Sequence, residues 1–202
     1  MKQCDREDLR WHEISAEHVI TDEWIDFRRL AYRMPDGSEF APYYAFTRRD
    51  YVVIVALTLE GQVVCVRQFR QGIREVTTEF PAGGLEYTGS REHPVWENPE
   101  KAAERELLEE TGCRAQSLRH LITLPADATL CDNLVHVYLA TGCSRVTGQH
   151  LDETEFLNVE LHSPQEVEMM IHEGTFQQAV HVMAWLLAMR EVRYRKDEKR
   201  KG

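Results

Sequence analysis

The chain has 202 residues, 43% of them hydrophobic, and a formal net charge of −10. That length and apolar content suffice for one core domain plus an appendage, while the acidity argues against a basic surface that would hold a nucleic-acid polymer. The five cysteines, Cys4, Cys65, Cys113, Cys131 and Cys143, are odd in number and form no CxxC pair, so a reducing cytoplasm is expected rather than a disulfide framework or structural zinc site.

The acidic start MKQCDREDLRW has no apolar run, and neither an export signal nor a membrane span is expected. Two strand-like runs, 24–34 and 38–48, flank Asp36-Gly37, which predicts a β-hairpin within an N-terminal subdomain over 1–49. Tyr43, Tyr44 and Phe46 in the second run suit strand packing and are also candidates to stack on a nucleobase. YVVIVALT and QVVCVRQF surround Glu60-Gly61; their β-branched density predicts buried strands of a central sheet, with the core domain spanning 50–194.

Asn98 as N-cap, Pro99 at the first helical position, Glu100 in the first turn and Gly112 as the stop define a helix over 99–111. Further strands are predicted in SLRHLITL, NLVHVYLA and FLNVELH, then a helix over 164–173 opened by Ser163-Pro164, then a last helix over 176–195. The charged tail 195–202 is expected to be solvated and unstructured. There is no repeat, and the nine histidines include no HExxH. No GxSxG elbow supports a serine nucleophile.

At about 100° of rotation per residue, Glu106, Glu109 and Glu110 fall within roughly a 100° arc of the 99–111 helix. Like charges four residues apart, here Glu106 and Glu110, cost an isolated helix about 0.2–0.5 kcal/mol, and Arg105 is placed to pair with Glu109. A hard divalent cation, which prefers oxygen ligands, suits that carboxylate face and a phosphate-bearing substrate.

Arg105-Glu106-Leu107, Glu109-Glu110 and Gly112-Cys113, with Glu97 upstream, resemble the signature of the Nudix hydrolases, which use divalent metal to hydrolyse a nucleoside diphosphate linked to another group. Thirteen residues separate Gly83 from Glu97, more than the family's pattern places there, so the signature carries an insertion within Tyr87 to Trp96. Lengthening a surface loop is thermodynamically cheap. The runs VRQFRQG and TTEFPAGGLE look most like the ADP-ribose and nucleotide-sugar pyrophosphatases. Ala128 stands where a proline often marks a subfamily, and Tyr138 fits a strand.

The resemblance covers nearly the whole chain and implies an α/β/α sandwich with a mixed central sheet and an N-terminal β-hairpin subdomain. It also implies Mg²⁺, with Mn²⁺ as a substitute, held by the Ala82 carbonyl, Glu106, Glu109 and Glu110. Arg70 would face substrate phosphate, and Arg105 is counted with the catalytic residues. The loop QHLDETEF (149–156) would supply the general base through Glu153 or Glu155, the other serving as a further metal ligand. A homodimer is implied, with the N-terminal sheet exchanged between subunits. The expected reaction is cleavage of the diphosphate of ADP-ribose or a related nucleotide sugar. The alternatives are another diphosphate, such as a dinucleoside polyphosphate or a nucleoside triphosphate, and a non-catalytic nucleotide-sensing module. The intact glutamate signature favours a hydrolase.

Overall fold

Two apolar runs that alternate without a polar face form the centre of the fold. In the computed structural model, which describes residues 9–90 and 93–201, they are β4 (Tyr51–Thr58) and β5 (Val63–Arg70). Val53 and Val55 point to one side of the sheet, and Val52, Ile54 and Ala56 to the other; all are fully buried. A strand covered on both faces needs apolar residues at every position, which is why these runs lack the usual alternation. Cys4 and the acidic start, Arg91 and Glu92 of the insertion, and Gly202 lie outside the described residues.

The chain divides into two compact units, residues 50–124 with 135 onward, and residues 9–49 with 125–134. The larger unit holds the mixed central sheet. Its main path runs β10 (Cys113–Arg114), β12 (Leu134–Arg145), β4, β5, β13 (Leu157–His162), with β12 parallel to β4 and the β4–β5 and β5–β13 pairs antiparallel. Three strands branch from that path: β6 (Glu75–Glu79) on β5, β7 (Ala82–Gly84) on β4, and β11 (Ser117–Pro125) on β12.

Helix α1 (Pro99–Thr111) covers one face through Ala102, Ala103 and Leu107. Helices α2 (Pro164–Glu173) and α3 (Ala179–Lys201) cover the other through Val167, Ala184, Trp185 and Ala188, around Phe80 and Phe176. This is the expected α/β/α sandwich. The segment expected to be an unstructured tail instead continues α3 to Lys201. No glycine or proline interrupts it before that point, and Arg195 Nε bonds Glu191 one turn earlier at 2.7 Å.

In the smaller unit, β1 (His12–Thr21), β2 (Asp26–Arg33) and β3 (Glu39–Thr47) form an antiparallel sheet in that order. The expected Asp36-Gly37 hairpin is β2–β3, with Gly37 at φ +81°. The sheet has a third strand, β1, that the sequence pattern did not disclose, because its ten residues are all exposed and have no consistent apolar face. Segment 125–134 packs on it: Phe46 N–H bonds Leu130 O at 2.8 Å, and Arg28 and Thr47 both donate to Asp132. Tyr43 joins Trp11, Tyr32 and Phe40 in an edge-to-face group, while Tyr44 stacks on Phe27 at 5.6 Å.

Within the insertion, β8 (Tyr87–Ser90) pairs antiparallel with β9 (His93–Trp96), rooted by the Glu97 N–H bond to Glu86 O at 2.8 Å. Gly112 ends α1 at φ +70°, and a Cβ there would strike the Thr147 carbonyl. Gly61, at φ +83°, has open space around its missing Cβ. Each glycine spares about 1–2 kcal/mol of left-handed strain. Gly112→Ala should therefore lower the urea midpoint clearly more than Gly61→Ala, with equal losses counting against the backbone contact as the difference.

Candidate active site

Helix α1 begins with the Asn98 side chain accepting the N–H groups of Glu100 (2.9 Å) and Lys101 (3.4 Å). It ends with Gly112 N–H bonded to Leu108 O at 2.8 Å. Fixed at both ends, it has one register against the sheet. The stripe that buries Ala102, Ala103 and Leu107 also carries Glu106 and Glu110 inward, to 7% and 2% exposure. Glu109 stays on the open side, with 40% of its side chain exposed.

Opposite these carboxylates lies the β7 turn. Ala82 N–H donates to Glu110 Oε2 at 3.0 Å, and Gly83 sits where any Cβ would overlap the Glu106 carboxyl group. Glycine is required here for close approach, since Gly83 has no positive φ. Arg105 gathers the remaining charge. It forms a two-pronged pair with Glu97 (3.1 and 2.8 Å), and its Nη1 bonds Glu106 at 2.8 Å and Glu109 at 3.0 Å. Its Nη2 also bonds Gly84 O at 3.1 Å. Arg105 thus ties the upstream glutamate, the helix and β7 together, beyond the single Glu109 pair expected from spacing.

The electrostatics follow from this arrangement. Burial pushes Glu106 up to about 7 despite the neighbouring Arg105, with Glu109 and Glu155 pushing the same way. Burial, then Glu106, pushes Glu110 well above the carboxylate range, while the Ala82 N–H works against the shift. The Arg105 hydrogen bonds hold Glu97 below its ordinary value. Burial opposes the charge of Arg105 itself, but Glu97, Glu106 and Glu109 outweigh it and raise the guanidinium above its usual range.

Among the described residues no three His, Cys, Asp or Glu side chains are grouped to hold a metal ion. The geometry gives the reason: Glu106 and Glu109 are turned to Arg105, and Glu110 to Ala82 N–H. The donor set is nonetheless all hard oxygen: three carboxylates share one guanidinium, and a fourth, Glu110, is buried with only the Ala82 N–H against it among the described residues. That excess negative charge suits a hard divalent cation.

The loop expected to hold the base is tied to the end of α1. Gln149 Nε2 donates to Glu110 O at 2.8 Å, and His150 N–H to Glu109 O at 2.8 Å, satisfying carbonyls that a helix end leaves without partners. Glu155 folds back to accept Asp152 N–H at 3.0 Å, and its charge bears on both Glu106 and Glu110. Glu153 is exposed in the turn. Arg70, at the end of β5, pairs with Glu79, which is fully buried. Tyr43, Tyr44 and Phe46 belong to the smaller unit. That unit has its own cavity of about 460 Å³, lined by Trp11, Arg28, Tyr32, Tyr43 and residues 128–132, with none of the carboxylates of α1.

Gln149, His150 and Glu79 join the site without any sequence signature. Each acts through long-range contacts that no local pattern encodes.

The raised carboxylates fix a pH trend for the protein freed of divalent cation. A carboxyl that binds its proton more tightly when folded contributes stability that is full below the unfolded value near about 4.3. That contribution is lost as pH rises through about 7 for Glu106. The melting temperature in chelator should therefore fall between pH 5 and 8, and Glu106→Gln should flatten the fall. An unchanged slope in the variant would place the titration elsewhere.

A family model for the NUDIX domain matches residues 47–186. An ADP-ribose pyrophosphatase of Bacillus subtilis is 38% identical over 147 residues, 72% of this chain and 75% of that protein. An ADP-ribose pyrophosphatase of Mycobacterium tuberculosis is 34% identical over 133 residues, 66% of this chain and 60% of that protein. A solved structure described as an ADP compounds hydrolase superposes with a TM-score of 0.78, covering 96% of this chain and 98% of that one at 20% identity, a likeness of fold. The domain match over most of the chain, the likeness of fold and the identity to these relatives show that this chain belongs to the Nudix family, as a hydrolase homologous to the ADP-ribose pyrophosphatases.

Proposed function

We propose that the protein hydrolyses the diphosphate of ADP-ribose or a related nucleotide sugar, giving a nucleoside monophosphate and a sugar phosphate. The observation that carries this reading is the pair of buried carboxylates, Glu106 and Glu110, set against Ala82 and Gly83 and left in charge excess by a single arginine. The names of relatives at 34–38% identity support the substrate class.

A divalent cation such as Mg²⁺, held by Glu106, Glu109, Glu110 and the Ala82 carbonyl, would neutralise charge on the phosphoryl oxygens. Glu155 is the better placed of the two loop glutamates to take the proton from the attacking water, because its charge is felt at Glu106 and Glu110. The water oxygen bonds one phosphorus, and the bridging P–O bond breaks with its electrons leaving on the departing phosphate. Arg70 would hold phosphate oxygen from the end of β5, and Arg105 keeps Glu106 and Glu109 in place. No side chain acts as nucleophile, so no covalent intermediate forms.

With Mg²⁺ and ADP-ribose, a single turnover in H₂¹⁸O should yield AMP and ribose 5-phosphate, with label in one of them. Glu106→Gln, Glu110→Gln and Gly83→Ala should each fold and lose about 10²-fold or more in kcat, the scale that misplacing a catalytic group by an ångström costs. Glu155→Gln should lose far more than Glu153→Gln. Inert ADP-ribose and nucleotide sugars with another diphosphate cleaved would move the substrate class; no diphosphate cleaved would leave a nucleotide-binding module.

We also propose a homodimer formed through the sheet of the smaller unit. Trp11, Ile14, Ile20 and Phe40 are each at least 44% exposed there, and such a surface favours a partner. Light scattering should return twice the 23.6 kDa chain mass; a monomer at working concentration would refute the proposal.

A further inference from the structure

We infer that Glu79 is a positioning residue that sets the Arg70 guanidinium for substrate phosphate, an inference that rests on the proposed diphosphate hydrolysis. Glu79 is the last residue of β6 and has no solvent exposure. Its Oε1 accepts Gln68 Nε2 at 2.6 Å, and its Oε2 accepts Gln178 Nε2 at 2.5 Å and Thr77 Oγ1 at 3.4 Å. The charged partner is Arg70, whose Nε donates to Oε2 at 3.2 Å while Nη2 pairs with Oε1.

A fully buried carboxylate is costly to keep unless it is paired and hydrogen-bonded. Here the donors come from β5, β6 and the residue just before α3, so the carboxylate itself is held from three sides. The atoms that Arg70 commits matter more. The Nε and Nη2 edge of the guanidinium is used on Glu79, which fixes the plane of the group. Nη1 has no partner among the described residues, and 34% of the side chain is open to solvent. One edge anchors and the other is presented. Lysine could neutralise Glu79 but has no second edge to offer.

The same strand end connects to the carboxylates of α1. After Glu79, Phe80 N–H bonds His181 Nδ1 at 3.1 Å, Pro81 O accepts Ile54 N–H at 2.9 Å, and Ala82 N–H reaches Glu110. The run from 79 to 82 therefore has the arginine's anchor at one end and the bond to the buried Glu110 carboxylate at the other, with every step bonded to the sheet or to helix residues. Moving Glu79 would move Arg70 relative to the carboxylates.

The test is a double-mutant cycle on the Mg²⁺-loaded enzyme with ADP-ribose, using Glu79→Gln, Arg70→Ala and the pair, with melting curves to show that each variant folds. Glu79→Gln should raise KM about ten-fold or more with a smaller change in kcat, and should change KM less than two-fold once Arg70 is alanine. Equal fold-changes in both backgrounds, or an unmoved KM, would overturn the inference. Arg70→Lys, which keeps the charge on an open side chain, carries the test if either variant does not fold: it should raise KM about as far as loss of the arginine edge predicts, and a wild-type KM would overturn the idea. Calorimetric binding of inorganic pyrophosphate to the same proteins in chelator reads the Glu79–Arg70 coupling without turnover, so failure of the inference is distinguishable from failure of the proposed reaction.

Discussion

Helix α1 cannot bury Ala102, Ala103 and Leu107 against the sheet without carrying Glu106 and Glu110 below the surface with them. Residues three and four apart share a helix face, so the apolar seal and the acidic pair are one stripe. The desolvation of two carboxylates costs several kcal/mol per uncompensated ion, and the surrounding structure is arranged around that cost. Arg105 crosses to Glu106, the Ala82 N–H meets Glu110, and Gly83 withholds a side chain where the Glu106 carboxyl lies. A helix that packed only for stability would carry leucines there. The retained acids mark a place where stability is given up for a charged site.

The elements that hold this stripe come from distant parts of the chain, yet none of them is free to drift. Strand β7 is fixed by its pairing to β4, and the 149–155 loop hangs from the last carbonyls of α1. Helix α3 reaches the end of β6 from the opposite face through His181, whose imidazole burial drives down to about 4, so that it meets the Phe80 N–H as a neutral acceptor. Preorganisation of this kind lets the carboxylates keep one geometry while their charge state changes.

Much of the larger unit was legible because its signals are local. Asn98, Pro99 and Gly112 bound α1 as capping rules require, and Ser163 with Glu166 forms the capping box that starts α2. The unbroken apolar runs of β4 and β5 announced a sheet covered on both faces. Strand β1 was not legible, because it gains its place by backbone pairing to β2 and buries no side chain. The continuation of α3 past 195 was hidden by its charges, which read as solvated tail but also support a helix through turn-to-turn pairs. At the site, the spacing of Glu106, Glu109 and Glu110 put them on one face. It did not reveal that two are buried, or that Arg105 grips Glu97 with two bonds while giving one each to Glu106 and Glu109.

Strands β8 and β9 are clasped at their base by two bonds between Glu86 and Glu97, one from the Glu97 N–H to Glu86 O and one from the Glu86 N–H to the Glu97 carboxylate that grips Arg105. Because the two ends are clasped there, the length of what lies between them does not alter the distance from Glu97 to the helix. The position acts as a port: sequence can be added or exchanged between β8 and β9 while the charge lattice beneath keeps its dimensions. It offers a grafting point at which a tag, a binding loop or a small domain can be carried without disturbing the site.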